Sequence, residues 1–190
     1  MERSAYWTAE DEQPVTREEA EKAWAVEAQQ VLTRVAATYR GTIESNELAN
    51  ELQQATGIHT RAQVRTWLGS VLTTMARQGH ELGEPPLASL VVQKSTGMVG
   101  TRYDEILKAT GAEPAATDYE REKLAADARL ECYRWADADM PDDGGKAALT
   151  ARYAASESRA RKQRLAEAPA NVCPTCFMAI PPTGECDNCG

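Results

Sequence analysis

Apolar positions recur every three to four residues from Ala20 through Trp24, Ala28, Val31 and Val35 to Tyr39, the spacing that lines one face of a helix. Thr16-Arg17-Glu18-Glu19 just ahead of them has the form of a reciprocal cap, in which the threonine hydroxyl accepts an amide proton and the glutamate reaches back. A helix is therefore predicted from Thr16 to the Arg40-Gly41 break, with one face in need of a partner. After a short extended stretch, Thr42-Ile43-Glu44, a second helix is predicted from about Ser45 to Ala55. It carries Leu48, Ala49 and Leu52 inward, and Gly57 supplies its stop.

Thr60-Arg61-Ala62-Gln63 reads as a second capping box, and the stripe of Val64, Trp67, Leu68, Val71, Leu72 and Met75 behind it is the strongest helical periodicity in the chain. That third helix is predicted to end at Gly79. Beyond Pro85-Pro86, the run Leu87 to Gln93 is short, apolar and valine-rich, which predicts a strand. Ser95-Thr96-Gly97 then turns the chain so that Met98 to Thr101 returns as the second strand of a hairpin. Tyr103 to Thr110 is a short helix. Gly111 to Ala116 reads as a linker, and Thr117-Asp118-Tyr119-Glu120 caps a long helix that includes Leu124, Ala128, Leu130, Tyr133 and Trp135. The polar stretch Asp137 to Gly145 ends it, and Ala147 to Glu167 forms an alanine-rich partner helix.

The expected architecture is mainly α with a small β-hairpin. An N-terminal tail (1–15) precedes a winged helix-turn-helix-like domain (16–110), a linker (111–117), a helical hairpin with an acidic tip (118–168) and a C-terminal zinc ribbon (169–190). Two helices joined by a glycine-containing turn and followed by a hairpin is the order of a DNA reader, in which the later helix enters the major groove and the wing touches the backbone.

Charge changes this picture locally. The chain carries a net charge of −8, which opposes a surface coated for gripping nucleic acid everywhere. Eleven acids and five bases fall between Met1 and Thr60, and ten acids and four bases between Glu113 and Asp143. From Lys146 to Leu165, by contrast, six bases face Glu157 alone. Arg159, Arg161, Lys162 and Arg164 in that stretch are candidates for phosphate contact, as are Arg61 and Arg65 at the start of the third helix and Lys94 and Arg102 around the wing. For each, the plainer alternative is a solvated side chain whose stem covers apolar surface. No run of about eighteen apolar residues is available to span a bilayer, and the opening residues soon enter Glu10-Asp11-Glu12. No membrane partner is expected, and a cytoplasmic location is.

Cys173-Pro174-Thr175-Cys176 and Cys186-Asp187-Asn188-Cys189 are two C-x-x-C pairs separated by nine residues. Each pair forms a tight corner that aims two thiolates at one point, and two corners make the tetrahedral four-sulfur site that zinc prefers. The expected occupant is one structural Zn²⁺ held by Cys173, Cys176, Cys186 and Cys189, because four thiolates leave no open position for catalysis. Eighteen residues build no core, so the metal supplies much of their folding free energy. A redox dithiol and a pair of disulfides are the competing readings. The segment resembles the zinc-ribbon group of small modules, many of which contact nucleic acid or a protein partner. Cys132 falls in an apolar-patterned helix and reads as a small buried hydrophobe.

Tyr39-Arg40-Gly41-Thr42-Ile43 through Glu47-Leu48-Ala49, then Arg65 to Gly69, then Leu90-Val91-Val92 and Gly97 to Gly100, resembles the winged-helix domain of alkylguanine DNA alkyltransferases and their alkyltransferase-like relatives. That family's motif is Pro-Cys-His-Arg-Val-Val. With Val91-Val92 aligned to its valines, Leu87, Ala88, Ser89 and Leu90 replace the proline, nucleophile, histidine and arginine, so the resemblance implies DNA binding without alkyl transfer. His59 and His80 stand apart at helix boundaries, no glycine-rich phosphate loop occurs, and the chain is not expected to be an enzyme.

Two functional classes follow. One is a DNA- or RNA-binding regulator carrying a structural zinc ribbon. The other is an adaptor on the transcription machinery: an acidic-tipped helical hairpin before a four-cysteine module resembles the layout of bacterial RNA polymerase secondary-channel regulators. The tip acids here are Asp137, Asp139, Asp142 and Asp143.

Overall fold

The computed structural model describes residues 5–167, together with 173, 175–177, 188 and 189. The chain divides into two units, Met1–Tyr153 and Ala154–Gly190. The described residues are mainly helical, with two small two-stranded sheets. No helix among them is long and apolar enough to cross a membrane.

The first unit is organised by three helices, α1 (Arg17–Ala36), α2 (Ser45–Thr56) and α3 (Val64–Glu81). Their inward stripes are the ones that the periodicity marks: Ala20, Trp24, Ala28 and Val31 on α1, Leu48 and Leu52 on α2, Trp67, Leu68, Val71 and Met75 on α3, all buried. Trp24 and Trp67 meet where α1 crosses α3, with ring centroids 4.2 Å apart. The indole N–H of Trp24 donates to Thr56 Oγ1 at 3.1 Å, so that ring is satisfied at its polar end. The predicted caps at Thr16 and Thr117 are both formed as reciprocal boxes.

The third predicted box is not formed. Thr60 is the last residue of a strand, β3 (Ile58–Thr60), and its hydroxyl is engaged there, donating to the Ala5 carbonyl at 2.8 Å and accepting from the Ala62 amide at 3.0 Å. Gln63 takes the N-cap position of α3 with no side-chain bond to the first turn. The strand partner is β1 (Tyr6–Thr8), antiparallel, with Trp7 opposite His59.

The wing hairpin is also absent. Leu87–Leu90 forms a 3-10 turn with all four residues buried, and Val91–Val92 forms β4, which pairs in parallel with β2 (Ile43–Glu44) in the register Ile43↔Val91 and Glu44↔Val92. The residues predicted to return as its partner close a turn instead: the Gln93 amide donates to Met98 O at 2.7 Å and the Gly97 amide to Gln93 O at 2.8 Å. Val99's amide is then taken by a carboxylate, Glu122 Oε2, at 3.0 Å, and no strand ladder follows. Gly97 sits at φ +72°, and a Cβ there would stand 2.7 Å from Thr150 Oγ1, so both conformation and space require glycine.

α4 (Tyr103–Ala109) and α5 (Asp118–Trp135) complete the packing. α5 lies against the 3-10 turn and α1 and contributes Ala125, Cys132 and Tyr133 to the same core. The loop that follows folds back, with the Arg134 guanidinium donating to the Gly144 carbonyl and the Lys146 amide donating to Tyr39 Oη at 3.2 Å. The last helix, α6, runs over Ala151–Glu167, starting four residues later than predicted. Thr150 is the reason, since its hydroxyl donates to Gly97 O at 2.6 Å and accepts from the Tyr153 amide, which makes it a cap.

Candidate functional site

The predicted site residues fall into three groups. In the first unit, the start of α2, the first half of α3, β4 and the 99–106 segment enclose a groove of about 590 Å³. Its floor is apolar, from Leu68 and Leu72 of α3 with Val91, Val99 and Ile106. Polar groups of Ser45, Asn46, Gln93 and Thr101 complete the lining, together with two arginines, Arg65 and Arg102. Arg65 is exposed, and no carboxylate pairs with it among the described residues. Arg102 lies with its stem across α3, where a Cβ on Gly69 would come within 2.2 Å of Arg102 Cδ, and it is 3.3 Å from Glu105 Oε2. Glycine at position 69 is what lets the arginine lie flat over the helix.

A buried ion pair frames this groove from behind. Glu122 and Arg129 of α5 meet at 2.5 Å, exposed by 0% and 2%. Glu122 accepts from the Val99 amide and Arg129 donates to the Ser89 carbonyl at 3.2 Å, so the pair ties down both ends of the segment that forms one groove wall. The Ser89 hydroxyl is 3.7 Å from Cys132 Sγ, and both are buried. Burial pushes the Cys132 thiol up to about 12. Tyr103, at the groove's inner wall, has a buried hydroxyl without a partner among the described residues, and burial raises its ionisation well above the ordinary tyrosine range.

Arg61 and Lys94 lie outside the groove lining. The Arg61 guanidinium stands over the Trp7 ring, 4.8 Å from its centroid, and Lys94 is 3.7 Å from Glu44 across the β2–β4 pair. Trp7 and His59, which touch this arrangement, were not marked by the pattern of the sequence. Their signal is a cross-strand pairing between segments fifty residues apart, which no local periodicity carries.

In the second unit, Arg159, Arg161, Lys162 and Arg164 are exposed on α6, and Arg164 is 3.8 Å from Glu157. The cysteines come together as expected. Cys189 Sγ is 3.3 Å from Cys173 Sγ and 3.4 Å from Cys176 Sγ. All three sulfurs lie within 4.8 Å of one another. Zinc–sulfur bonds of about 2.3 Å in a tetrahedron place sulfurs about 3.8 Å apart, so this cluster has the dimensions of one ion. The turn after Cys173 is closed by the Phe177 amide on the Cys173 carbonyl at 2.8 Å. Amides of Cys176 and Thr175, with the Cys189 thiol behind them, pull the Cys173 thiol down to about 6, which makes it a thiolate at neutral pH. Cys186, the fourth predicted ligand, lies outside the described residues.

No protein family, curated protein or solved structure matches the chain.

Proposed function

We propose that this chain is a nucleic-acid-binding protein, a regulator of DNA, that presents α3 and the groove beside it to the nucleic acid and carries one structural Zn²⁺ in a C-terminal ribbon. The observation that carries the reading is a groove with an apolar floor whose lining also includes two arginines, Arg65 and Arg102, beside neutral donors and acceptors. Such a lining suits a flat, polar-edged, anionic polymer: cations for phosphate, amide and hydroxyl groups for base edges, and apolar surface for stacked or methyl-bearing faces.

α2 and α3 follow one another in the order of a helix-turn-helix, with Gly57 and β3 between them, and in place of a wing hairpin the chain has the β2–β4 pair and the closed turn at 93–98. Cys173, Cys176 and Cys189 hold the metal, with Cys186 as fourth ligand. The ion's chemistry there is structural, fixing the chain beyond α6. The basic face of α6 supplies a second source of phosphate neutralisation.

The test is direct titration of the full chain, zinc-loaded, with fluorescently labelled duplex and single-stranded oligonucleotides across a salt series. Binding whose affinity falls with salt, weakened by an Arg65→Ala/Arg102→Ala variant, is the expected outcome. An absence of binding to both at low salt removes the reading. An adaptor on the transcription machinery is the second reading, favoured by the exposure of Asp137, Asp139, Asp142 and Asp143 on the loop after α5. It predicts a protein partner recovered at moderate salt and lost when those acids are neutralised.

A further inference from the structure

The ribbon formed by β1 and β3 carries three flat side chains in a row. Trp7 and His59 are directly opposite in the antiparallel register, and their rings are 6.2 Å apart and inclined by 26°. Arg61, the first residue past β3, lays its guanidinium 4.8 Å from the centre of the Trp7 ring. This row is not core. Trp7 and His59 are half-buried and Arg61 is exposed, whereas the tryptophans that build the core, Trp24 and Trp67, are fully enclosed.

A guanidinium spread over an indole uses its face and keeps its edge N–H groups for an acceptor. On this unit the surface arginines Arg17, Arg34 and Arg102 each face a carboxylate, whereas exposed Arg40, Arg65 and Arg77 have no such partner among the described residues. Among the described residues no carboxylate pairs with Arg61. At the Arg61 end of the ribbon, Arg65 is the second residue of α3 and the first turn of α3 holds no acid; the acids nearest in sequence, Glu10, Asp11 and Glu12, follow the other end of β1. In a chain of net charge −8, the Arg61 end is a local cationic edge that continues the groove lining through Val64 and Arg65.

We propose that this face of the β1–β3 ribbon is a second nucleic-acid contact, in which Arg61 binds a backbone phosphate and Trp7, stacked beneath it, is the positioning residue that holds the guanidinium edge outward. The inference rests on the nucleic-acid reading above. It assigns a role to the N-terminal strand, whose pairing with β3 is what brings Trp7 under Arg61.

Full-length, zinc-loaded protein is titrated with labelled duplex and single-stranded oligonucleotides at several salt concentrations, comparing wild type with Arg61→Ala, Trp7→Ala and Trp7→Phe and the Trp7→Ala/Arg61→Ala pair. Arg61→Ala is expected to weaken binding about three- to tenfold at low salt and to flatten the salt dependence by about one released counterion. Trp7→Ala, which removes no charge, produces the same two changes, Trp7→Phe retains most of the affinity, and the double variant is no worse than either single. Circular dichroism of each variant verifies the fold, and Arg61→Ala, at an exposed position, keeps the test decisive where Trp7→Ala unfolds the ribbon. Wild type that binds while Arg61→Ala matches it in affinity and salt slope overturns the ribbon contact alone. Wild type that binds neither oligonucleotide overturns the underlying reading with it.

Discussion

Glu122 and Arg129 form a 2.5 Å ion pair from which solvent is excluded, and each partner also holds one backbone group of the segment between Ser89 and Val99. The pair stands two helical turns apart on α5, so the helix acts as a rigid bar across the back of the groove. An unpaired charge in such a place is costly, because its desolvation is no longer offset by the partner.

Removing only the cation, by Arg129→Met, is therefore expected to destabilise the first unit by about 3–5 kcal/mol. Replacing both, by Glu122→Gln with Arg129→Met, should recover a large part of that loss, since no net charge is left buried. Urea unfolding followed at 222 nm checks it; equal loss in the single and double variants would show that packing, and not charge, governs the site.

Tyr103→Phe should stabilise the protein slightly, by about 1 kcal/mol. The Tyr103 hydroxyl is buried without a partner among the described residues, so deleting it removes a desolvated polar group and little packing. A loss of stability in the same urea experiment would reveal a partner for that hydroxyl.

Cys132 should resist alkylation in the native state. Its thiol is held up to about 12 by burial, well above the ordinary thiol range. The unfolded chain ionises this thiol first as pH rises, so its contribution to stability is complete below pH 9 and is lost progressively towards 12. Timed iodoacetamide labelling with mass spectrometry, in buffer and in urea, checks the protection; labelling of native Cys132 as fast as in urea would contradict it.

One zinc per chain is expected by elemental analysis, reduced by Cys173→Ser. Amides from Cys176 and Thr175 lower the Cys173 thiol to about 6, so it binds metal at neutral pH with little competition from protons, and metal affinity should weaken as the solution is acidified. Chelation should leave the ellipticity of the Met1–Tyr153 unit and its thermal transition in place. A cooperative collapse of all helicity on chelation would refute that independence.

Gly69→Ala tests the groove without touching a charge. A Cβ at this position displaces the Arg102 stem, while alanine gains up to about 1 kcal/mol of helix propensity over glycine. Stability is expected to change little and oligonucleotide affinity to drop. Unchanged affinity would mean that Arg102 does not act from its place over α3.

Local pattern alone determined the helices and most of their caps. The stripes on α1, α2 and α3 are inward because a period of 3.6 puts them on one face, and Thr16 and Thr117 cap because a hydroxyl and a glutamate three residues apart close on each other wherever a helix begins. It determined the approach of Cys173, Cys176 and Cys189 as well, three of the four cysteines of the two C-x-x-C pairs, with Cys186 outside the described residues. What only the tertiary structure decided is which short segments pair. Thr60 lost its capping role because β1 claimed it, and Val91-Val92 lost its hairpin because Ile43-Glu44 and the Glu122 carboxylate took the backbone groups that a returning strand would have used. Strands of two or three residues carry no periodicity of their own, and their partners lie as far as fifty residues away. The groove lined by Arg65 and Arg102, and the stack of Arg61 on Trp7, exist only after those long-range pairings have formed.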